Sequence, residues 1–217
     1  MNPLFPRILV IACLVLTTAQ WASAQVGLKA GFNYSTLHYQ ETDVIIVDLF
    51  NENIGWKFGP YLGIYYQKEW NQKFASAIEV IYSQKGLDNK SNFLGASDVQ
   101  VNFHYLSIPL MLYYRPTENL SLGIGTEVAY LIDRTTNQED LIMPEIFEDL
   151  YDQEIDVSLN IGTKLRITNR LWLESRFNVG ILPVQELQFT DANGEVVDEA
   201  RSYNRNFQVG FGYDLIE

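Results

Sequence analysis

Apolar and polar side chains alternate along most of the chain beyond its first 25 residues. In the segment YLSIPLMLYYRP, residues 105–116, the even positions from Leu106 to Tyr114 form an apolar face, and the odd positions form the other. A period of two is typical of a β-strand. Pro109 falls in the middle of this segment and removes one ladder hydrogen bond, so we predict a local bend there, at a bulge.

Eight segments of the chain show this alternation, each about 11 to 14 residues long. A tilted strand needs roughly 9–11 residues to cross a bilayer, so each segment is long enough to do so. The predicted strands span 26–38, 56–67, 74–85, 102–115, 120–132, 155–167, 171–184 and 203–215.

The links between these segments alternate in length, and short turns opposite long loops are typical of outer-membrane barrels. An even number of strands places both termini of the mature chain on the short-turn side of the barrel, which faces the periplasm. We therefore predict an all-β fold, an eight-stranded antiparallel up-and-down transmembrane β-barrel. In the fourth long link, Asn193-Gly194 predicts a hairpin tip. The short links are KEWNQK, RPTEN and TNR, and the long links lie near 39–55, 86–101, 133–154 and 186–202.

The distribution of glycine indicates which face points inward. Of the 14 glycines, ten share the face that carries the charged residues, and the opposite face carries Leu, Val, Ile and Phe. Eight strands enclose only enough space for side chains to fill it, so glycine and charge are predicted inside and the bulky apolar groups against lipid. The alternative is a soluble, lipocalin-like barrel with its apolar face inside. Outward aromatics predicted at the membrane interfaces are Trp56, Tyr66, Tyr82, Tyr114, Tyr130, Tyr203 and Tyr213.

The first 24 residues have the pattern of an export signal. Arg7 precedes an apolar run from Ile8 to about Ala19, and Ala22-Ser23-Ala24 matches a signal-peptidase site. We predict a signal peptide over 1–24 and one barrel domain over 25–217; the alternative is an N-terminal anchor helix. Cys13, the chain's one cysteine, leaves with the signal, which excludes disulfides and cysteine chemistry in the exported protein.

The mature chain is acidic, with 14 Lys and Arg against 27 Asp and Glu. This balance argues against nucleic acid as a partner. The long links hold 19 of the acids, so they form either a solvated surface or sites for divalent cations, which prefer carboxylate oxygens and could bridge to lipopolysaccharide. The candidate cation-binding loop contains Glu145, Glu148, Asp149, Asp152 and Glu154.

Charged residues of both signs fall on the inward face. Charges shielded from water need partners, so we predict a network that fills the lumen. The alternative is a gate or narrow ion path lined by Glu79, Glu127, Glu174, Lys29 and Arg176, although eight strands leave little room for a standing pore. The predicted network is Lys29, Glu79, Glu127, Lys164, Glu174 and Arg176, with Asp156, Asp214, Lys57, Lys85, Arg115 and Arg166 also assigned inward.

Signals for an enzyme are weak in this sequence. The two histidines, His38 near a rim and His104 on the outward face, have no serine and acid at a readable spacing. We therefore predict no catalytic residues and no cofactor. The alternative is a lipid-modifying enzyme whose site is assembled across strands.

Several segments together are similar to a known family. They are GLKAGFNYSTL, SAIEVIYSQKG, FHYLSIPLMLYYRP, LSLGIGTEVAYLI and FQVGFGYDL. The chain resembles the PorT-like outer-membrane β-barrel domain family of small Gram-negative barrels, although Ser107 stands where many relatives carry an acidic residue. The resemblance implies an outer-membrane location and a barrel fold. Beyond it, we predict a monomer with a structural or interaction role, of which an accessory role in an export machine is one form, and the alternative is a small channel or a solute- or cation-binding barrel. The predicted partners are lipid, lipopolysaccharide and an envelope or periplasmic protein.

Overall fold

The computed structural model describes residues 24–40, 54–89, 99–136, 153–190 and 196–216. These residues form ten β-strands, and eight of the ten pair side by side into a closed antiparallel ring. No helix that is long and apolar enough to cross a membrane occurs in these ranges. The strands are β1 Ala24–Gln40, β2 Ile54–Gly55, β3 Lys57–Glu69, β4 Phe74–Asn89, β5 Val99–Tyr114, β6 Leu120–Thr136, β7 Ile155–Arg166, β8 Leu171–Gly180, β9 Gln185–Thr190 and β10 Val196–Ile216.

The ring follows the chain order β1-β3-β4-β5-β6-β7-β8-β10 and closes where β10 pairs with β1. Closure satisfies the backbone hydrogen bonds within the sheet, as a bilayer requires. The predicted eight-stranded barrel is therefore confirmed. The predicted signal peptide lies outside the described residues apart from Ala24, the first residue of β1.

The long-loop end contains more strand than the sequence pattern predicts. The predicted strand 171–184 ends at Gly180, near Pro183, which has no N–H to donate to a ladder. In the fourth long link β9 and the first part of β10 pair as a hairpin, so the strands extend beyond the bounds predicted for them. The predicted tip at Asn193-Gly194 lies outside the described residues.

Pro109 points inward, as predicted, but its strand has no bulge at that position. The β5–β6 register is the same on both sides of the Pro109–Glu127 pair, and it shifts only between His104 and Tyr105. Between β4 and β5, the two pairs that Glu79 and Val80 of β4 would form are absent from the ladder. Beyond them the two strands pair again in the same register. The missing N–H of proline therefore interrupts pairing without adding a residue, and the predicted bulge was wrong.

The outer surface of the barrel is apolar. Phe58 and Phe32 are 70% and 65% exposed, and similar side chains alternate outward on each strand of the ring. This arrangement excludes the soluble alternative, which needs those groups inside. The predicted interface aromatics also point outward, with Trp56, Tyr82, Tyr114 and Tyr213 exposed.

Glycines leave the interior space that large inward rings occupy. A Cβ added to Gly212 would lie 2.0 Å from the Trp172 ring, and one added to Gly210 would lie 2.2 Å from the Tyr61 hydroxyl. A Cβ added to Gly27 would likewise overlap the Tyr65 side chain. The ten predicted inward glycines are buried or half-buried, so glycine on one strand makes room for an aromatic ring from another.

An apolar cluster closes the interior at the long-loop end. This upper apolar cluster differs from the predicted lumen of glycine and charge, because inward positions on the strand extensions carry large apolar groups. Its buried members are Leu37, Tyr39, Leu87, Val101, Phe103, Tyr105, Ala129, Leu131, Val184 and Ala200.

Replacing Gly212 with Ala tests the fit between glycine and ring. We expect the free energy of unfolding to fall by about 1–3 kcal/mol, because the added methyl group overlaps the Trp172 ring. Ala30→Val, which adds bulk on the lipid-facing side, is the control and should change little. Urea unfolding followed by circular dichroism measures both, and equal effects of the two variants would contradict the proposed fit.

Candidate functional site

Four charged side chains meet in the middle of the barrel. Lys29 Nζ lies 2.9 Å from Glu79 Oε2 and 2.6 Å from Glu174 Oε2. Arg176 Nη2 lies 2.8 Å from Glu79 Oε1 and also contacts Glu174 Oε1. Two cations thus alternate with two carboxylates in a closed ring of ion pairs, which we name the central quartet.

The strand period explains how these groups come together. Glu174 and Arg176 are two residues apart on β8, so both point inward, while Lys29 and Glu79 project from β1 and β4 across the lumen. Each is 1% exposed. Buried charges are tolerated only when paired and hydrogen-bonded. The quartet meets the requirement for pairing, since each carboxylate contacts both cations, while Arg176 Nε and Nη1 have no hydrogen-bond partner among the described residues.

A second cluster, the upper triad, lies nearer the long loops. Lys85 Nζ lies 3.0 Å from Glu127 Oε1 and 3.5 Å from Asp156 Oδ2. Asn178 donates to Glu127 Oε2 at 3.1 Å, and Asn204 donates to Asp156 Oδ2 at 2.8 Å. The triad therefore joins β4, β6 and β7 to β8 and β10.

Lys164 is buried nearer the short turns and has a different environment. Its ammonium lies 4.2 Å from the Trp172 ring centroid and 4.3 Å from that of Tyr113, and it donates to Gln67 at 3.3 Å. Cation–π contacts of this kind stabilise a charge from the faces of rings. In this layer the Asp214 carboxylate accepts hydrogen bonds from the Tyr65 hydroxyl and from Trp172 Nε1.

Three residues predicted inside lie instead at the rims. Arg115 pairs with Glu69 at 2.6 Å beside a short turn, and Lys57 donates to Gln100 at 3.1 Å. Arg166 donates to the Asn169 carbonyl at 3.5 Å within the turn after β7. All three are half-buried because their strands end there, and long basic side chains reach water from such positions.

Sequence reasoning missed the neutral part of the interior network. Asn33 donates to Ser83 at 2.8 Å, and Asn206 and Gln208 both donate to the Asn33 carbonyl oxygen at 3.1 Å. These side chains alternate inward on the same strand faces as the charged residues, so the period of two could have identified them as interior residues. Ser107 is also inward and buried.

The predicted cation-binding loop lies outside the described residues except for Glu154. That carboxylate accepts a hydrogen bond from the Tyr130 hydroxyl at 3.0 Å. Within the described ranges, no group of three or more His, Cys, Asp and Glu side chains is arranged to hold a metal ion.

His104 lies in a chain of polar contacts on the outer surface. Its Nδ1 lies 2.7 Å from the Tyr82 hydroxyl and its Nε2 lies 3.3 Å from Thr135 Oγ1. Asn102 also donates to Thr135 Oγ1 at 3.2 Å. His38 lies on β1, two strands from the β4 strand that carries Tyr82.

Comparisons with known proteins place this architecture in a family. The model of the outer membrane protein beta-barrel domain family matches residues 18–186. OprG from Pseudomonas aeruginosa is 11% identical at a TM-score of 0.49, with coverage of 90% of this chain and 97% of OprG. Ail of Yersinia pestis, solved in complex with the heparin analogue sucrose octasulfate, is 11% identical at a TM-score of 0.45, with coverage of 89% and 99%. No curated protein matches the chain.

The central quartet can be tested by breaking its charge balance. Glu79→Gln leaves two buried cations facing one carboxylate, so we expect the free energy of unfolding to fall by about 3–5 kcal/mol. Adding Lys29→Met restores neutrality, since Arg176 and Glu174 remain paired, and should recover most of the loss. Denaturant unfolding of the single and double variants measures this coupling.

Glu69→Gln, which breaks the pair at the rim, is the matched control. This pair is partly exposed, and ion pairs that water can reach contribute about 0–1 kcal/mol, so its effect should be much smaller. If Glu79→Gln were as mild as Glu69→Gln, the quartet would not be a buried network.

Proposed function

Because the chain belongs to the outer membrane protein β-barrel domain family, we propose that this integral outer-membrane protein is a closed barrel with a non-enzymatic structural or interaction role. Its working surfaces would be the long loops outside the cell and the short turns in the periplasm. The proposal includes export through a cleaved signal peptide over residues 1–24 and a monomeric barrel in the membrane.

The central quartet is the observation that carries this proposal. It links β1, β4 and β8 through the axis of the barrel, and each of its side chains is buried. An ion or solute crossing the lumen would have to displace paired charges, which costs several kcal/mol. The geometry therefore favours a structural network over the gated ion path.

The upper apolar cluster supports closure at a second level. It stands between the upper triad and the long loops, and its rings and aliphatic groups are less than a tenth exposed. A hydrated ion entering from that side would lose water to apolar neighbours before it reached any charged partner. Two barriers of opposite character thus lie in series.

The outer surface fits a bilayer and its lipopolysaccharide. Exposed apolar side chains give the sheet a lipid-facing surface, and the polar chain of Tyr82, His104 and Thr135 lies at its long-loop end. In this proposal the acidic long links bind divalent cations that bridge to lipopolysaccharide phosphates.

The short turns have the opposite charge to the long links. Residues 68–73, 115–119 and 166–170 contain five Lys and Arg against two Glu. A concavity of about 710 Å³ lies between these turns and is lined by Lys73, Arg115 and Arg166. This surface suits an acidic envelope or periplasmic protein, and an accessory role in an export machine is consistent with such a partner.

Conductance separates the closed barrel from a channel. We expect the purified protein to give no steady single-channel current in planar bilayers, because the quartet blocks the axis. Glu79→Lys, which puts like charges together, serves as the comparison. A stable current in the wild-type protein, with ion selectivity altered by Glu79→Lys, would favour the channel.

Charge reversal at the turns tests the periplasmic partner. A photo-crosslinker at Thr117 should capture an envelope protein in whole cells, and Lys73→Glu with Arg170→Glu should reduce that product at least several-fold. Arg201→Glu, at the long-loop end, is the control and should leave it unchanged. A product that survives the turn variants, or is lost equally in the control, would remove the basis for this surface.

A further inference from the structure

Two long grooves run side by side over the lipid-facing surface of the barrel. The first, of about 800 Å³, begins beside Lys68 and extends to Leu159. The second, of about 990 Å³, begins beside Trp70 and extends to Phe207. We name them the Lys68 groove and the Trp70 groove. Both begin where β3 and β4 are joined by a short turn, and both are lined mainly by apolar groups.

The pairing of the strands explains why the two grooves are parallel. Outward side chains that face each other across the ladders form a continuous ridge, and the backbone of the inward residues between two ridges forms the floor of a groove. Gly123 and Gly162 lie in the floor of the Trp70 groove. The ridge between the two grooves passes, from β4 to β7, through Ser76, Leu112, Ile124 and Ile161.

The register makes this ridge climb from the short turns toward the long loops. At its lower end the ridge starts at Lys68 of β3. Followed around the ring through Phe177, Phe207 and Tyr34, it returns to β3 at Phe58. It has then risen by ten residues, from position 68 to position 58, which for eight strands gives a strand tilt of about 40°.

The length and slope of the grooves match one leaflet of a bilayer. The Lys68 groove crosses from β3 to β7 and the Trp70 groove from β4 to β10, which is about 19 Å and about 24 Å at roughly 4.8 Å per strand. At a tilt of about 40° these lengths rise by about 12 Å and about 15 Å. Half of a hydrocarbon core of about 30 Å is about 15 Å. An acyl chain that enters at the β3–β4 turn would therefore reach the middle of the bilayer.

The mouths of the grooves carry groups that bind a phosphate. Lys68 is exposed and forms no ion pair within the described part of the chain, whereas the neighbouring Glu69 pairs with Arg115. Ser76 lies opposite Lys68 in the ladder, and its Oγ accepts from Trp70 Nε1 at 2.9 Å, so the Ser76 proton can be donated to a ligand. Trp70 is 69% exposed, as is typical of a tryptophan at the headgroup level.

Away from the mouths the groove walls suit hydrocarbon. The hydroxyls of Thr163 and Ser175, both in the wall of the Trp70 groove, lie 3.0 Å apart and hydrogen-bond each other. Because a hydroxyl buried without a partner costs free energy, this mutual bond allows an apolar chain to cover them. The charged and hydrogen-bonding groups are thus at one end of the grooves and the apolar length at the other.

We propose that the two grooves bind one anionic diacyl phospholipid, with its phosphate at Lys68 and Ser76 and one acyl chain in each groove. The mouths lie two residues apart in sequence on either side of one ridge, which suits two chains joined at one glycerol. The unpaired charge of Lys68 selects an anionic headgroup. The assignment of this lipid to the periplasmic leaflet rests on the orientation proposed above, whereas the site itself does not.

Native mass spectrometry of the full mature barrel tests this site. Protein refolded in detergent without lipid is titrated with dioleoyl phosphatidylglycerol, with dioleoylglycerol and with single-chain lysophosphatidylglycerol. We expect one phosphatidylglycerol per chain. Dioleoylglycerol, which lacks the phosphate, should bind about fivefold more weakly. Lysophosphatidylglycerol should also bind more weakly, because it leaves one groove empty.

Substitutions at the mouth and in the wall separate the site from general contact with lipid. Lys68→Gln should weaken phosphatidylglycerol binding about fivefold, whereas Lys73→Gln, in the same turn but outside both grooves, should change it little. Ser175→Phe fills the Trp70 groove and should also weaken binding. Ala30→Phe adds the same ring to the lipid-facing surface outside the grooves and is its control.

Four results would overturn the proposal. They are wild-type protein that binds no phosphatidylglycerol, equal effects of Lys68→Gln and Lys73→Gln, lysophosphatidylglycerol bound as tightly as the diacyl lipid, and a stable dimer that Ser175→Phe dissociates. The last would assign the grooves to a second copy of the chain. Because binding is measured in detergent, a negative result would remove the lipid site and leave the proposed role of the barrel standing.

Discussion

The interior of an eight-stranded barrel is so narrow that any charge inside it must find a partner within a few ångströms. The rest of the structure follows from this constraint. The central quartet meets it with four mutual ion pairs, and Lys164 meets it with the faces of Trp172 and Tyr113. Glycines on facing strands supply the space that these large side chains need. Closure of the lumen is thus a consequence of how the charges are accommodated, and the proposed interaction role rests on that closure.

The charges are arranged in layers along the axis, and each layer joins different strands. The quartet links β1, β4 and β8, the upper triad links β4, β6 and β7 and reaches β10 through Asn204, and neutral amides join β10 to β1. Above them the upper apolar cluster packs the strand extensions together from the inside. The interior therefore changes along the barrel axis, from ion pairs in the middle to an apolar core at the long-loop end.

The ring of eight strands and its orientation could be predicted from the sequence, because a period of two fixes both the strand and the face of every residue. Lys29, Glu79, Glu174 and Arg176 could be assigned inward for the same reason, but their mutual contacts depend on register across non-adjacent strands, which no local pattern contains. Asn193-Gly194 indicated a hairpin turn in the fourth long link, but the extent of pairing between β9 and β10 was missed because the acids and turn residues there suggested a loop. The rim positions of Lys57, Arg115 and Arg166 were missed because the alternation along a strand specifies which face a side chain lies on. It does not specify how far along the barrel axis that side chain lies. The acidic loop from Glu145 to Asp152 lies outside the described residues.

The exchange of lysine side-chain protons tests the central claim most directly. Nitrogen-15 spectra of the barrel in nanodiscs can report each lysine ammonium separately, with exposed Lys68 at the end of β3 and exposed Lys73 in the following turn as internal references. A lumen closed around paired charges predicts that the ammonium protons of Lys29 and Lys85 exchange with water far more slowly than those two references. Equally fast exchange at Lys29 and Lys73 would contradict the account, because it would mean that water reaches the middle of the barrel.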